Sequence, residues 1–307
     1  MSFEIVFMGT PEFAKEFLEH IYLNKEFNIK GVYTQPPKKS DRGQKINLSP
    51  VHKFAEEKNL NIFCPSNFLD SDIEDLKKIK PDVILVVAYG LILPEEVLMI
   101  PSCGAVNVHA SLLPRWRGAA PIHRSIMNGD KTTGISIMKM EKGLDEGPTY
   151  LQTQIPIREN DTYGNIFNTL VEAGKQTLDV YFSGHQPFWP TQQDSKLATY
   201  AHKIKKSEME INFNDTAFKA HKKVCAFSPK PGAWLLIESK KYKIFDTEFI
   251  SSDKIKNFNK FEKLILSFKE DFLLVNKIQK EGGNIMPIED FERGHKQELE
   301  NIRKKFS

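Results

Sequence analysis

Residues 82–88 (DVILVVA) carry apolar side chains at both odd and even positions. A strand sends successive side chains to opposite faces, so this run has no face to give to water. It must lie inside a sheet that is covered on both sides. The neighbouring segments fit that demand. Residues 3–8 (FEIVFM) are a short apolar run ending at Gly9. A helix opens at Pro11, where proline suits a first turn, and Phe13, Phe17 and Ile21 recur at helical spacing. Further strands are expected at 29–34, 105–109 and 134–140, and a helix at 48–58. A long helix spans 163–181, with Ile166, Leu170, Ala173, Thr177 and Val180 along one side. Alternation of this kind implies an α/β domain with a largely parallel sheet, over residues 1–185.

The pattern changes after His185. Residues 186–204 hold prolines and little periodicity, and read as a linker. Beyond it come short strand-like pieces at 233–238, 242–247, 263–268 and 272–276. A helix opens at Asp215, a good N-cap, and a polar helix ends the chain. Closely spaced short strands suggest a small barrel over residues 205–307. A chain of 307 residues accommodates two such domains.

Composition narrows the setting. With 40% hydrophobic and 27% charged residues the chain can build ordinary cores. Its longest apolar run, 83–93, is well short of the roughly 18–20 residues of a membrane span. The start of the chain has no basic stretch and carries Glu4, unlike a signal peptide. Cys64, Cys103 and Cys225 sit far apart, which speaks against a disulfide scaffold or zinc ribbon and for a reducing, cytoplasmic setting. The eight histidines show no metal-ligand spacing with them, so no metal is expected. The net charge of +3 divides unevenly: residues 1–200 carry 21 basic and 24 acidic groups, and residues 201–307 carry 22 and 16. A basic C-terminal third suits either a solvated surface or a polyanion partner.

The chemistry concentrates in residues 104–122 (GAVNVHASLLPRWRGAAPI). Asn107 and His109 lie two apart on a strand, and so share a face at its C-terminal end, where open α/β sheets bind ligands. An amide donor beside an imidazole can bind an oxyanion developing on a carbonyl, and the imidazole can move protons. After the next strand, residues 141–147 (EKGLDEG) form a glycine-bracketed loop. It would bring Asp145 near the pair, because neighbouring strands end on the same sheet edge. A carboxylate there can orient the imidazole. No serine or cysteine sits in a nucleophile elbow, so direct acyl transfer is favoured over an acyl-enzyme. Gly9-Thr10-Pro11 stands where a dinucleotide fingerprint would be, but GxGxxG is absent, and the glycine is read as permitting a tight turn.

The N-x-H-x-S-L-L-P run at 107–114, the following R-x-x-G-A-A-P-I and the separate L-D-x-G-P at 144–148 resemble the signatures of the folate-dependent formyltransferases. The opening F-M-G-T-P-E-F-A at 7–14 and the late A-F-S-P-K-P-G-A-W at 226–234 extend the likeness through both parts of the chain. The resemblance implies a Rossmann-like catalytic domain with a C-terminal β-barrel of the oligonucleotide-binding (OB-like) type. It implies 10-formyltetrahydrofolate as formyl donor, the α-amino group of methionyl initiator tRNA as acceptor, and a cytoplasmic monomer. The catalytic residues of the family match Asn107, His109 and Asp145. Its folate-binding segments match Ser111, Leu112, Leu113 and Pro114, and Tyr89, Gly90, Leu91 and Leu93, the latter group through backbone contacts. A basic loop at 36–45, with Lys38, Lys39, Arg42 and Lys45, matches an insertion that reaches the tRNA acceptor stem. Lys203, Lys205, Lys206, Lys222 and Lys223 are candidate contacts to the tRNA backbone. Cys225 stands where the family usually has a basic residue, and reads as a packed thiol. Formyl transfer to another amine (a nucleotide sugar or purine precursor), formyl-folate hydrolysis and a noncatalytic tRNA-binding role are the alternatives.

Overall fold

The computed structural model describes residues 2–40, 45–184, 189–255 and 263–306. Its chain forms two compact units, and neither is contiguous. One comprises Met1–Pro121, Gly134–Ile155 and Thr169–His202; the other comprises Ile122–Thr133, Pro156–Asn168 and Lys203–Ser307. Residues 122–133 and 156–168, which lie within the stretch read as one domain, therefore belong to the second unit. Residues 189–202, read as linker, belong to the first.

The first unit is built on strands β1 (Phe3–Gly9), β2 (Phe27–Tyr33), β3 (Lys38–Ser40), β4 (Lys45–Asn47), β5 (Ile62–Phe63), β6 (Val83–Val87), β7 (Ala105–His109), β8 (Thr132–Lys139) and β9 (Thr149–Pro156). Helices α1 (Glu12–Leu23), α2 (Pro50–Glu57), α3 (Asp70–Ile79) and α4 (Glu95–Leu98) intervene; α5 (Pro121–Met127) belongs to the second unit from Ile122 onward, and α6 (Tyr163–Phe182) belongs to the second unit up to Asn168 and to the first from Thr169. Seven strands form one sheet in the order β5-β2-β1-β6-β7-β8-β9, and β3 and β4 pair separately. Pairing is parallel from β5 to β7 and turns antiparallel between β7 and β8. All five residues of β6 are buried, as its doubly apolar sequence requires.

Local sequence explains the elements. In α1, Phe13, Ala14, Phe17, Leu18 and Ile21 form one buried stripe. Pro50 opens α2, and the Ser49 hydroxyl caps it by accepting from the His52 N–H at 3.0 Å. Between β1 and α1, a Cβ on Gly9 would stand 2.6 Å from the Ala14 methyl and 2.9 Å from the Val87 carbonyl oxygen. Close packing of helix on sheet, rather than an unusual backbone angle, demands glycine there.

The second unit contains α7 (Ala217–Phe227), β10 (Ala233–Ile237), β11 (Lys240–Ile244), β12 (Thr247–Ile250), β13 (Leu264–Ser267), β14 (Phe272–Val275), β15 (Lys277–Lys280), β16 (Met286–Pro287) and α8 (Ile288–Phe306). The strands make two antiparallel sheets, β10-β11-β15-β16 and β12-β14-β13, among the described residues. Leu235, Ile244, Leu264, Leu273 and Ile278 from the strands close one core with Phe227 of α7 and Phe291, Leu299 and Ile302 of α8. The N-cap of α7 is Thr216, not Asp215: its hydroxyl accepts from the Lys219 N–H at 3.2 Å.

Candidate active site

Asn107 and His109 point to one face of β7 near its C-terminal end, and both are buried. The route by which Asp145 joins them differs from the sequence expectation. Because β8 runs antiparallel to β7, Lys139 lies opposite Val106, and the Met140 N–H donates to the Ala105 carbonyl at 2.8 Å. The loop after β8 therefore leaves beside the start of β7, not at the shared edge, and returns along that strand. Gly147 permits the return: a Cβ there would stand 2.0 Å from the Lys139 carbonyl oxygen.

The three side chains meet around one carboxylate. Asn107 Nδ2 donates to Asp145 Oδ1 at 3.3 Å, and His109 Nδ1 lies 3.6 Å from Asp145 Oδ2. The Gly118 N–H donates to the same Oδ2 at 2.8 Å. His109 Nε2 lies 2.9 Å from the Trp116 carbonyl, which can only accept, so Nε2 carries the hydrogen. The two contacts from Asp145 to Asn107 and His109 are longer than a charge-assisted bond of about 2.7–2.9 Å. Asp145 thus orients both groups, and the Asn107 amide keeps its second N–H for an incoming oxygen.

The loop after His109 is tied from beneath. The Ser136 hydroxyl donates to the Ser111 carbonyl at 2.6 Å and accepts from the Leu113 N–H at 3.1 Å. Gln152 Nε2 donates to the Leu113 carbonyl at 2.9 Å. The Ser111 hydroxyl donates to the Arg115 carbonyl at 2.6 Å. Ser111 and Leu113 are buried and serve this scaffold, whereas Leu112 and Pro114 keep exposed surface. In the segment after β6, the Tyr89 and Leu93 side chains are buried, Leu91 is half-buried and Gly90 is exposed. The Tyr89 carbonyl accepts from Thr10 Oγ1 at 2.8 Å and from Gln35 Nε2 at 3.1 Å, which fixes the turn. The Tyr89 and Leu93 side chains are packed inward, while Ala88 and Gly90 are exposed.

The lysine candidates divide. Lys203, Lys205 and Lys206 are exposed on the second unit. Lys222 is not a surface residue: it is 2% exposed, and its ammonium donates to the Glu159 carbonyl at 2.6 Å. Lys223 is half-buried and donates to the Glu210 carbonyl at 2.6 Å. Burial lowers the pKa of both. These two are structural donors, which corrects their reading as phosphate contacts. Cys225 is buried 3.5 Å from His221 Nε2, and burial pushes its thiol up to about 11. Lys38, Lys39 and Lys45 belong to β3 and β4. Arg42 lies outside the described residues. Sequence reasoning missed Gly118, Trp116 and Gln193, whose contributions pass through backbone groups or arise far along the chain. Among the described residues no group of three or more His, Cys, Asp or Glu side chains is placed to hold a metal, and no helix is long and apolar enough to cross a membrane.

Comparison with known proteins gives the family. Residues 3–180 match the formyl transferase family and residues 203–296 match the formyl transferase C-terminal domain, so the chain belongs to the formyltransferase family. A methionyl-tRNA formyltransferase of Wolbachia sp. subsp. Drosophila simulans (strain wRi) is 40% identical over 298 residues, covering 96% of this chain and 97% of the relative. One from Caldicellulosiruptor saccharolyticus is 40% identical over 302 residues, covering 95% and 97%. Among solved structures, an N-formyltransferase from Helicobacter canadensis in complex with folinic acid and dTDP-3-aminofucose shares the fold, with a TM-score of 0.62, 17% identity, and coverage of 91% of this chain and 99% of that one. HypX from Aquifex aeolicus, in complex with tetrahydrofolic acid, aligns with a TM-score of 0.59 and 15% identity over 95% of this chain and 47% of that one.

Proposed function

We propose that this enzyme transfers the formyl group of 10-formyltetrahydrofolate to the α-amino group of methionyl initiator tRNA. The observation that carries the reading is the meeting of Asn107, His109 and Asp145 in a chain that matches methionyl-tRNA formyltransferases over nearly its whole length. The donor, when bound, supplies a formyl carbon open to attack by an amine. The exposed Ala88 and Gly90 and the accessible Leu112 and Pro114 fit an aromatic heterocycle held by backbone groups and apolar surface.

The residues divide the work. Attack of the amine nitrogen on the formyl carbon puts negative charge on the formyl oxygen, and the second N–H of Asn107 Nδ2 is the available donor; collapse then breaks the carbon–nitrogen bond to the folate, and the proton lost by the amine passes to the folate nitrogen that leaves. With Nε2–H held by the Trp116 carbonyl and Nδ1 facing Asp145 Oδ2, the ring of His109 is fixed in its plane from both sides. Asp145 also fixes the direction of both side chains in advance, which removes reorganisation from the reactive step. The exposed Lys203, Lys205 and Lys206 would meet the phosphates of the acceptor. In this reading the enzyme works as a monomer in the cytoplasm.

One assay tests the proposal. The enzyme is incubated with the formyl donor and charged initiator tRNA, a sugar-nucleotide amine, or buffer alone. Formylation of the tRNA alone supports the reading. Transfer to the sugar amine, or hydrolysis in buffer at a similar rate, rejects it.

A further inference from the structure

We propose that Gln193 is a positioning residue for formyl transfer, acting from a strap of chain that spans the two loops around Asp145; this rests on the catalytic reading of Asp145 above. The strap is residues 191–201, within the stretch whose sequence reads as linker. Its backbone is bonded at both ends. Thr191 and Thr149 exchange N–H to carbonyl bonds at 2.8 and 2.9 Å. Farther on, the Thr199 carbonyl accepts from the Arg117 N–H at 2.9 Å, and the Thr199 hydroxyl accepts from the Trp116 N–H at 2.9 Å. The Ala201 N–H returns a bond to the Arg117 carbonyl at 2.7 Å. A connecting peptide needs none of these bonds.

Gln193 uses both ends of its amide. Nε2 donates to the Asp145 carbonyl at 2.8 Å and to the Gly147 carbonyl at 2.6 Å. Oε1 accepts from Arg117 Nε at 3.0 Å. Arg117 is buried, precedes Gly118, and follows the Trp116 carbonyl that holds His109. Gln193 therefore pins both partners of the Gly118 to Asp145 bond. Asp145 itself adopts a left-handed backbone conformation, φ 51°, which a residue with a Cβ keeps only when its surroundings hold it. The two bonds from Gln193 Nε2 grip the loop on either side of Glu146. A glutamate at 193 could still accept from Arg117 but could donate to neither carbonyl, and an asparagine would fall one methylene short.

The test is steady-state and single-turnover kinetics on the full chain with Q193E, Q193A, D145A and the double variant Q193A/D145A. The expected result is a kcat reduced by tenfold to a hundredfold, on the order of what a small misplacement of a catalytic group costs, in Q193E and Q193A alike. KM for the charged tRNA should stay within about twofold, since uniform binding is untouched. Q193A/D145A should be no slower than D145A, because both changes act through one carboxylate. A normal kcat in Q193E, or a fully multiplicative loss in the double variant, overturns the inference while leaving the catalytic assignment standing. Normal turnover in D145A overturns the two together. Circular dichroism and Tm of Q193E separate lost positioning from lost folding, and a Q193E protein that melts with the wild type yet turns over slowly supports the proposal.

Discussion

The backbone N–H of Gly118 donates to the Asp145 carboxylate at 2.8 Å, the shortest of the contacts that Asp145 Oδ1 and Oδ2 make with Asn107, His109 and Gly118. Through it, the loop after β7 and the loop after β8 converge on one acid. Asn107 and His109 are then held from a common point. Replacing Asn107, His109 or Asp145 with alanine should each lower kcat by about 10²–10³-fold, the usual cost of losing an oxyanion donor. The Tm should shift far less than for a core truncation. Rates with charged initiator tRNA, measured beside a thermal melt, check this. A near-normal kcat in Asn107→Ala would sink the assignment.

Gly147→Ala asks for a Cβ where the Lys139 carbonyl oxygen already lies, 2.0 Å away. Backbone cannot move aside as a flexible side chain can, so the loop that carries Asp145 must shift. We expect kcat to fall by on the order of a hundredfold with KM for tRNA little changed. Turnover within a factor of two of wild type would show that the loop tolerates the shift.

His123 is packed against Tyr163 and Phe227, with ring centroids 4.3 and 5.7 Å away. Burial, and then the Arg124 charge, lower its pKa from 6.5 to about 4. Between those two values the unfolded chain binds the proton and the folded one does not. Stability from this group is therefore complete above pH 6.5 and declines as the pH falls toward 4. Urea melts at pH 7 and pH 5 should show that loss, and His123→Phe should reduce it. An unchanged pH dependence in the variant would assign the effect elsewhere.

Lys203, Lys205 and Lys206 are exposed, whereas Lys222 is committed to the Glu159 carbonyl. Changing the first three to alanine together should raise KM for tRNA and flatten its salt dependence. With duplex DNA as the guide, the log–log slope should fall by about 0.9 for each phosphate left without its lysine. The kcat should hold. Lys222→Ala should instead lower stability by about 1–3 kcal/mol, since it removes a buried side chain together with its bond to the Glu159 carbonyl, and leave the salt slope unchanged. Fluorescence or filter titrations at several salt concentrations, with melts alongside, distinguish the two classes.

Residues 105–109 show why part of the site was legible in the sequence. A strand of period two fixes Asn107 and His109 on one face whatever the rest of the fold does, and β7 has those same bounds. Asp145 was identified for a reason that does not hold, because strand direction is not written in local sequence. The antiparallel turn of β8 makes the loop travel back along β7. Helix α3 (DSDIEDLKKI) escaped notice because it buries only Ile73 and Leu76, too few to print a helical period. Gln193 and Lys222 were illegible for a shared reason. An amide among polar residues and a lysine beside another lysine look like surface until distant chain segments arrive to claim them. Bonds to Asp145 and Glu159 span 48 and 63 residues of sequence.

The interleaving of the two units also sets an order of events during synthesis. Residues 122–133 leave the ribosome early, yet Arg124 finds its partner Glu208, at 2.5 and 3.1 Å, only 84 residues later. Residues 156–168 likewise wait for α7, where Lys222 reaches the Glu159 carbonyl. The growing chain must hold two unfinished pieces of the second unit open while the sheet of the first is being laid down. Strand β7, with Asn107 and His109, can pair with β6 long before Gln193 exists to secure the Asp145 loop. The donors of the site are thus in place first, and the carboxylate that aims them is secured afterwards.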